Sequence, residues 1–175
     1  MHKVSAGEVQ YLGQLYERYK RWLFNFFLQM GCDRELSEDL VQNVFMRILK
    51  YKHTWTRDSK FVTWMFQIAR NAQSDHFRRN TKHHQNKSID DLTRGIEGTD
   101  SFDRDQDRSD STKLLYKALQ RLPEEKREVL VLSKLKEMRY KEVGEVLNCS
   151  EEAARTKAHR ALKELRTIYM DIQNQ

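Results

Sequence analysis

The chain of 175 residues is 38% hydrophobic and 33% charged, and its 8 Phe, 7 Tyr and 3 Trp supply cores for one ordinary domain or two small ones. No apolar run approaches the roughly 20 residues of a membrane span, and Met1-His2-Lys3-Val4-Ser5 lacks the apolar stretch of a signal peptide, so no membrane insertion and a cytoplasmic location are expected. A net charge of +6 is weak evidence for a polyanionic partner until the charge is located along the chain. Cys32 and Cys149 lie far apart without C-x-x-C spacing and are expected to be reduced thiols, not zinc ligands. No phosphate-binding Gly loop, nucleophile elbow, H-E-x-x-H or paired-carboxylate site stands in the sequence. The expectation is a protein without catalysis, cofactor or metal of its own.

One proline and six glycines leave few breaks, and strand-like alternation is nearly absent. Leu12, Leu15, Tyr16, Tyr19, Leu23, Phe26, Phe27 and Met30 recur at the helical period. Gly31 can end that helix, and Asp33 or Ser37 can cap the next, which carries Leu36, Leu40, Val41, Val44, Phe45, Ile48 and Leu49. A third helix starts near Lys60 and presents Phe61, Trp64, Met65, Ile68, Ala69, Ala72 and Phe77. Three such faces can bury one another as a bundle.

From about Lys82 to Ser111 the apolar periodicity fails and acidic residues dominate, among them Asp90, Asp91, Glu97, Asp100, Asp103, Asp105, Asp107 and Asp110. Too little apolar area is available there to offset chain entropy, so a flexible acidic linker is expected. Helicity resumes at Leu114, Leu115, Ala118, Leu119 and Leu122. Pro123 suits the first turn of a further helix, with Glu124 and Glu125 at its positive end and Val129, Leu130, Leu132 and Leu135 continuing it. A short helix over 140–147, a turn at Asn148-Cys149-Ser150 and a long last helix form a helix-turn-helix pattern. Asn148 tolerates the left-handed conformation of a tight turn, and Ser150 is a good N-cap. Gly144 in the short helix is expected to weaken it by up to about 1 kcal/mol.

On the last helix Ala154, Ala158, Ala161, Leu162, Leu165 and Tyr169 share one face, and Arg155, Thr156, His159, Arg160, Lys163 and Arg166 the other. A helix anchored on one side and basic on the other can enter a major groove, where Arg takes guanine bidentately and Thr or His reaches base edges or phosphate. Lys157 lies on the flank of the polar face, better placed for phosphate. Upstream, the segment from Arg70 to Lys87 interleaves cations with His76, Phe77, His83 and His84, a composition suited to single-stranded nucleic acid. His83-His84 lacks further ligands for a metal.

Three stretches carry a family resemblance: Glu38-Asp39-Leu40-Val41-Gln42-Asn43-Val44-Phe45; Phe61-Val62-Thr63-Trp64-Met65-Phe66-Gln67-Ile68-Ala69-Arg70-Asn71; and Leu122-Pro123-Glu124-Glu125-Lys126-Arg127-Glu128-Val129 with Tyr140-Lys141-Glu142-Val143 and Arg160-Ala161-Leu162-Lys163-Glu164-Leu165-Arg166. Each alone is loose, but in this order they cover nearly the whole chain, which resembles an extracytoplasmic-function (group IV) RNA polymerase sigma factor. The resemblance implies an all-α fold. A helical bundle at 5–82 would bind core polymerase and melt the −10 element. A flexible acidic linker at 83–111 would lead to a helix-turn-helix domain at 112–172 for the −35 element. It implies that Asp39, Gln42 and Asn43 contact the β′ clamp helices, although the family more often has Glu at the place of Asn43. It implies that Asn71, Asp75, Arg78 and Arg79 serve the −10 DNA, with Asn71 capturing a flipped base. Arg155, Thr156, Lys157, His159, Arg160 and Lys163 would serve the −35 DNA. Implied partners are core RNA polymerase through the β′ clamp helices and β flap, promoter DNA and an anti-sigma factor, with a nucleoid association in the holoenzyme. Two departures, Gly144 for the usual Ala and Ala153-Ala154 for the usual Thr-Val, leave promoter preference open. A plain helix-turn-helix regulator is the rival reading, but it leaves the N-terminal bundle unexplained and no heptad seam for a dimer is present.

Overall fold

The computed structural model describes residues 1–56, 59–85 and 110–174, with the side chains of 81–85 excepted. All regular structure among the described residues is helical. The chain divides into two compact units, Met1–Asn25 with Asp33–Thr99 and Phe26–Cys32 with Asp100–Gln175. The acidic stretch expected as a linker lies outside the described residues, apart from its helical ends: the helix before it runs to Gln85 and the one after it begins at Asp110.

The first unit opens with a short helix, α1 (His2–Ser5), and a 3-10 turn at Val9–Tyr11, neither of which the periodicity announces. Three long helices follow: α2 (Leu12–Gln29), whose last turn from Phe26 counts with the second unit, α3 (Arg34–Tyr51) and α4 (Phe61–Gln85). Of the two expected caps for α3, Asp33 takes the role, its carboxylate accepting from the Leu36 N–H at 2.8 Å. Ser37 is buried one turn in, its hydroxyl donating to the Asp33 carbonyl at 2.6 Å. The aromatic stripe of α2 packs edge-on against its neighbours: Tyr16 meets Phe45 at 5.0 Å between ring centroids, and Tyr19 meets Phe61 at 5.2 Å. Leu40, Val41, Val44, Phe45 and Ile48 of α3 and Met65, Phe66, Ile68, Ala69 and Ala72 of α4 are buried, at about 1.5–3 kcal/mol for each large side chain. The last buried residue of α4 among those described is Gln73. Phe77, expected on the buried face, is 42% exposed with its ring edge-to-face on His76, because this end of α4 extends beyond its buried stripe. Trp64 is half-buried beside Phe61.

The second unit contains α5 (Asp110–Gln120), α6 (Glu124–Leu130), one π-helical turn continuing it through Leu135, α7 (Tyr140–Leu147) and α8 (Glu151–Gln173). Asp110 and Ser111, expected in the linker, form the first turn of α5, where an acidic residue favours the helix dipole. Pro123 sits one place earlier than expected, as the N-cap of α6 with extended ψ. Arg127 fastens the α5–α6 corner: its guanidinium donates to the carbonyls of Leu119, Gln120 and Leu122 at 3.1, 2.7 and 3.0 Å. The first two carbonyls belong to the end of α5, where intrahelical donors run out, and the third to the turn that follows it. Burial lowers the Arg127 pKa, but a guanidinium stays charged under all ordinary conditions.

Helix α8 packs on α5, α6 and α7 through Ala154, Ala158, Ala161 and Leu165, and the small alanines let the axes approach closely. A Lys126–Glu164 ion pair joins α6 to α8. Leu162, expected in the buried stripe, is 46% exposed, and Leu115 of α5 is 44% exposed. At about 100° per residue Leu162 falls some 80° from Ala154, on the margin of the stripe. Leu135 is also exposed.

The α7–α8 turn follows its sequence signals. Asn148 adopts the left-handed conformation (φ 55°, ψ 49°), and the Ser150 hydroxyl accepts from the Ala153 N–H at 3.1 Å. Gly144 departs from expectation. A Cβ at this position would stand 2.6 Å from the Cys149 carbonyl oxygen, so glycine here permits a contact between α7 and the turn and is not simply a weak helix former. A second left-handed residue, Glu137 (φ 55°), precedes α7.

Candidate nucleic-acid and polymerase interfaces

Asp39, Gln42 and Asn43 are exposed on the face of α3 opposite Leu40, Val44 and Ile48. One turn further along the same face stands Met46, 68% exposed. A methionine this exposed at the end of a polar row leaves a flexible apolar side chain open to solvent. The sequence reading missed it because Met46 adjoins Phe45 in the apolar run and counts as core by composition.

Asn71 is exposed on α4, and Arg78 and Arg79 follow on its exposed end. Asp75 is half-buried and engaged: one carboxylate oxygen accepts from Arg47 of α3 and the other from Arg78, each at 2.9 Å. Arg47 also donates to the Asn43 side-chain oxygen at 2.7 Å. A small cleft of about 90 Å³ between the two helices is lined by Asp39, Asn43, Arg47, Asp75, His76 and Arg79, so residues expected for polymerase and for DNA meet there. The side chains of Lys82, His83 and His84 lie outside the described residues.

On α8 all six expected residues, Arg155, Thr156, Lys157, His159, Arg160 and Lys163, are exposed. Arg155 is oriented within the unit, its guanidinium donating to Glu151 at 3.2 Å and lying 5.7 Å from the centre of the Tyr140 ring. Tyr140 is a second residue the sequence reading left unassigned, since the Tyr140–Arg155 pairing arises from the α7–α8 crossing. His159, Lys163 and Arg166 have a further environment: with Leu115, Leu162 and Tyr169 they line an open, largely apolar groove of about 750 Å³ between α5 and α8. Among the described residues no three metal-ligating side chains cluster, and no helix is long and apolar enough to cross a membrane.

A bundle with a polar row on one helix and an amide and arginines on the next, together with a helix-turn-helix with a basic exposed face, suits a promoter-recognition protein. Residues 15–83 match the sigma-70 region 2 family and residues 112–165 match the sigma-70 region 4 family. The chain is 32% identical over 158 residues to the ECF RNA polymerase sigma factor SigM of Bacillus subtilis, covering 90% of this chain and 94% of that one. It is 30% identical to SigX of the same organism, over 87% of this chain and 80% of that one. Its fold is similar to that of the sigma factor RpoE in complex with the anti-sigma factor NepR from Bartonella quintana, with TM-score 0.69, 20% identity and coverage of 89% and 94%. It is likewise similar to CnrH in complex with the cytosolic domain of CnrY, with TM-score 0.69, 22% identity and coverage of 95% and 92%. The chain belongs to the ECF RNA polymerase sigma factors. Such a factor binds core RNA polymerase and promoter DNA and directs promoter-specific transcription initiation.

Proposed function

We propose the following division of labour for these residues. The N-terminal domain, about residues 5–82, meets the β′ clamp helices through Asp39, Gln42 and Asn43, with Met46 as the apolar anchor. Asn71 holds a base that has left the stack, its amide donating and accepting at the base edge. Asp75, Arg78 and Arg79 form the adjoining −10 surface. The C-terminal domain, about residues 112–172, meets the β flap and reads the −35 element. There Arg155 and His159 face base edges, and Thr156, Lys157, Arg160 and Lys163 follow the backbone. Residues 83–111 tether the two domains. The single observation carrying this assignment is the sorting of faces: every one of these residues except Asp75 is exposed, and all the exposed ones but Arg78 and Arg79 stand on a stretch of helix whose other side is buried.

Phosphodiester chemistry belongs to the polymerase, and this chain takes no catalytic step. It works in the cytoplasm at the nucleoid. The similar sigma factor RpoE is in complex with the anti-sigma factor NepR, which supports an anti-sigma partner here. Transcription of a promoter library by the reconstituted holoenzyme tests the reading. Arg155→Ala should relax preference at one −35 base pair at a loss of about 1–3 kcal/mol. Lys157→Ala should weaken all promoters alike and reduce the salt slope by about 1. A uniform loss with Arg155→Ala refutes its assignment to base reading.

A further inference from the structure

The α3–α4 cleft contains a bonded chain in which one member, Arg47, has no part in the assignments above. The Arg47 side chain is 21% exposed. Its Nε donates to Asn43 Oδ1 at 2.7 Å, one turn back on α3, and its Nη1 donates across to Asp75 Oδ2 on α4 at 2.9 Å. The other oxygen of Asp75 accepts from Arg78 Nη2 at 2.9 Å. A bare carboxylate on a surface that meets DNA repels phosphate. Held between two guanidinium groups it is neutralised, and charge-assisted bonds fix the direction of both partners. Arg78 is 72% exposed, so Asp75 rather than packing orients it. An acid at position 43 would stand four residues before Arg47 and compete for its charge. Asn43 is neutral and leaves that charge to Asp75.

We propose that Arg47 is a positioning residue for promoter opening, which neutralises Asp75 and through it fixes Arg78 against the −10 DNA. The inference rests on the assignment of Arg78 to that DNA. The test is the rate of open-complex formation by the holoenzyme at rising salt, for Arg78→Ala, Arg47→Met, Asp75→Asn and the Arg47→Met/Asp75→Asn double variant. Arg78→Ala should flatten the salt slope by about 1, one lost phosphate contact. Arg47→Met should slow opening by about tenfold and flatten the slope similarly, because an Asp75 relieved of Arg47 draws Arg78 off the phosphate. In the Asp75→Asn background the same substitution should change the rate less than about twofold, since the charge to be neutralised is gone. If Arg47→Met fails to fold by circular dichroism, Arg47→Lys takes its place. Its ammonium lacks the fork that spans Asn43 and Asp75, and about a threefold loss is expected. Wild-type behaviour of the Arg47 variant beside a defective Arg78→Ala overturns the proposal, as does an equal loss in both Asp75 backgrounds, which would mark Arg47 as merely structural. A neutral Arg78→Ala removes the −10 assignment of Arg78 and the inference with it.

Discussion

Substitution of Gly144 sets two physical effects against each other. Helix propensity alone favours Gly144→Ala by about 1 kcal/mol, since Gly144 lies inside α7. The added methyl would stand 2.6 Å from the Cys149 carbonyl oxygen and 3.3 Å from the Ser150 carbonyl carbon, all backbone atoms of the turn that launches α8. A backbone carbonyl cannot rotate away as a side chain does, and overpacking of this kind costs about 1–3 kcal/mol. The propensity gain is therefore erased, and Gly144→Ala should be neutral to about 2 kcal/mol destabilising. Gly144→Val adds two more methyl groups and a β-branched penalty, and should lose about 3 kcal/mol. Urea denaturation of the full chain followed by circular dichroism gives the stabilities, and −35 affinity in the holoenzyme reports whether the turn has moved. A Gly144→Ala variant stabilised by the full propensity difference of about 1 kcal/mol would refute the reasoning, because the close contact would then carry no energy.

Lys136 is buried at the end of the π-helical turn, and burial lowers its pKa to about 8 from the ordinary 10.5. The unfolded chain holds this proton above pH 8 while the folded chain releases it, so stability should rise as pH increases from about 8 to 10.5. Below that window the charged, desolvated ammonium destabilises the fold. Lys136→Met should therefore raise stability at pH 7 by about 1–3 kcal/mol and abolish the rise, and a series of denaturation curves between pH 7 and 11 checks both. Asn71→Ala should reduce permanganate-detected opening about tenfold while closed-complex binding changes little, and equal losses at both steps would make Asn71 structural. Met46→Glu should weaken core polymerase binding by about tenfold in a titration against core enzyme, and an unchanged Kd would remove it from the interface.

Period and cap chemistry carried most of this fold. The three-to-four spacing from Leu12 to Met30, the Asn148 turn and the Ser150 cap are local signals, and the structure bears them out because each is decided within a few residues of chain. Features that depend on two segments meeting were not legible. Gly144 read as a weak helix residue until the Cys149 carbonyl was placed beside it. Asp75 read as a −10 DNA residue beside Arg78 and Arg79, and its pairing with Arg47, 28 positions away, has no sequence signal. Leu115 and Leu162 obey the apolar pattern of their own helices, yet the space between α5 and α8 stays open and leaves both partly exposed. Met46 shows the same limit in reverse, an apolar residue whose helix turns it outward.

The two left-handed residues, Glu137 and Asn148, bracket α7 like the stops of a ruler. One residue more or less between them would rotate the second stop by about 100° and shift it by about 1.5 Å, re-aiming every side chain of α8 at once. Exchange of an exposed residue on α8 changes one contact and leaves the helix in place, whereas an insertion or deletion between 137 and 148 would move the whole exposed face together.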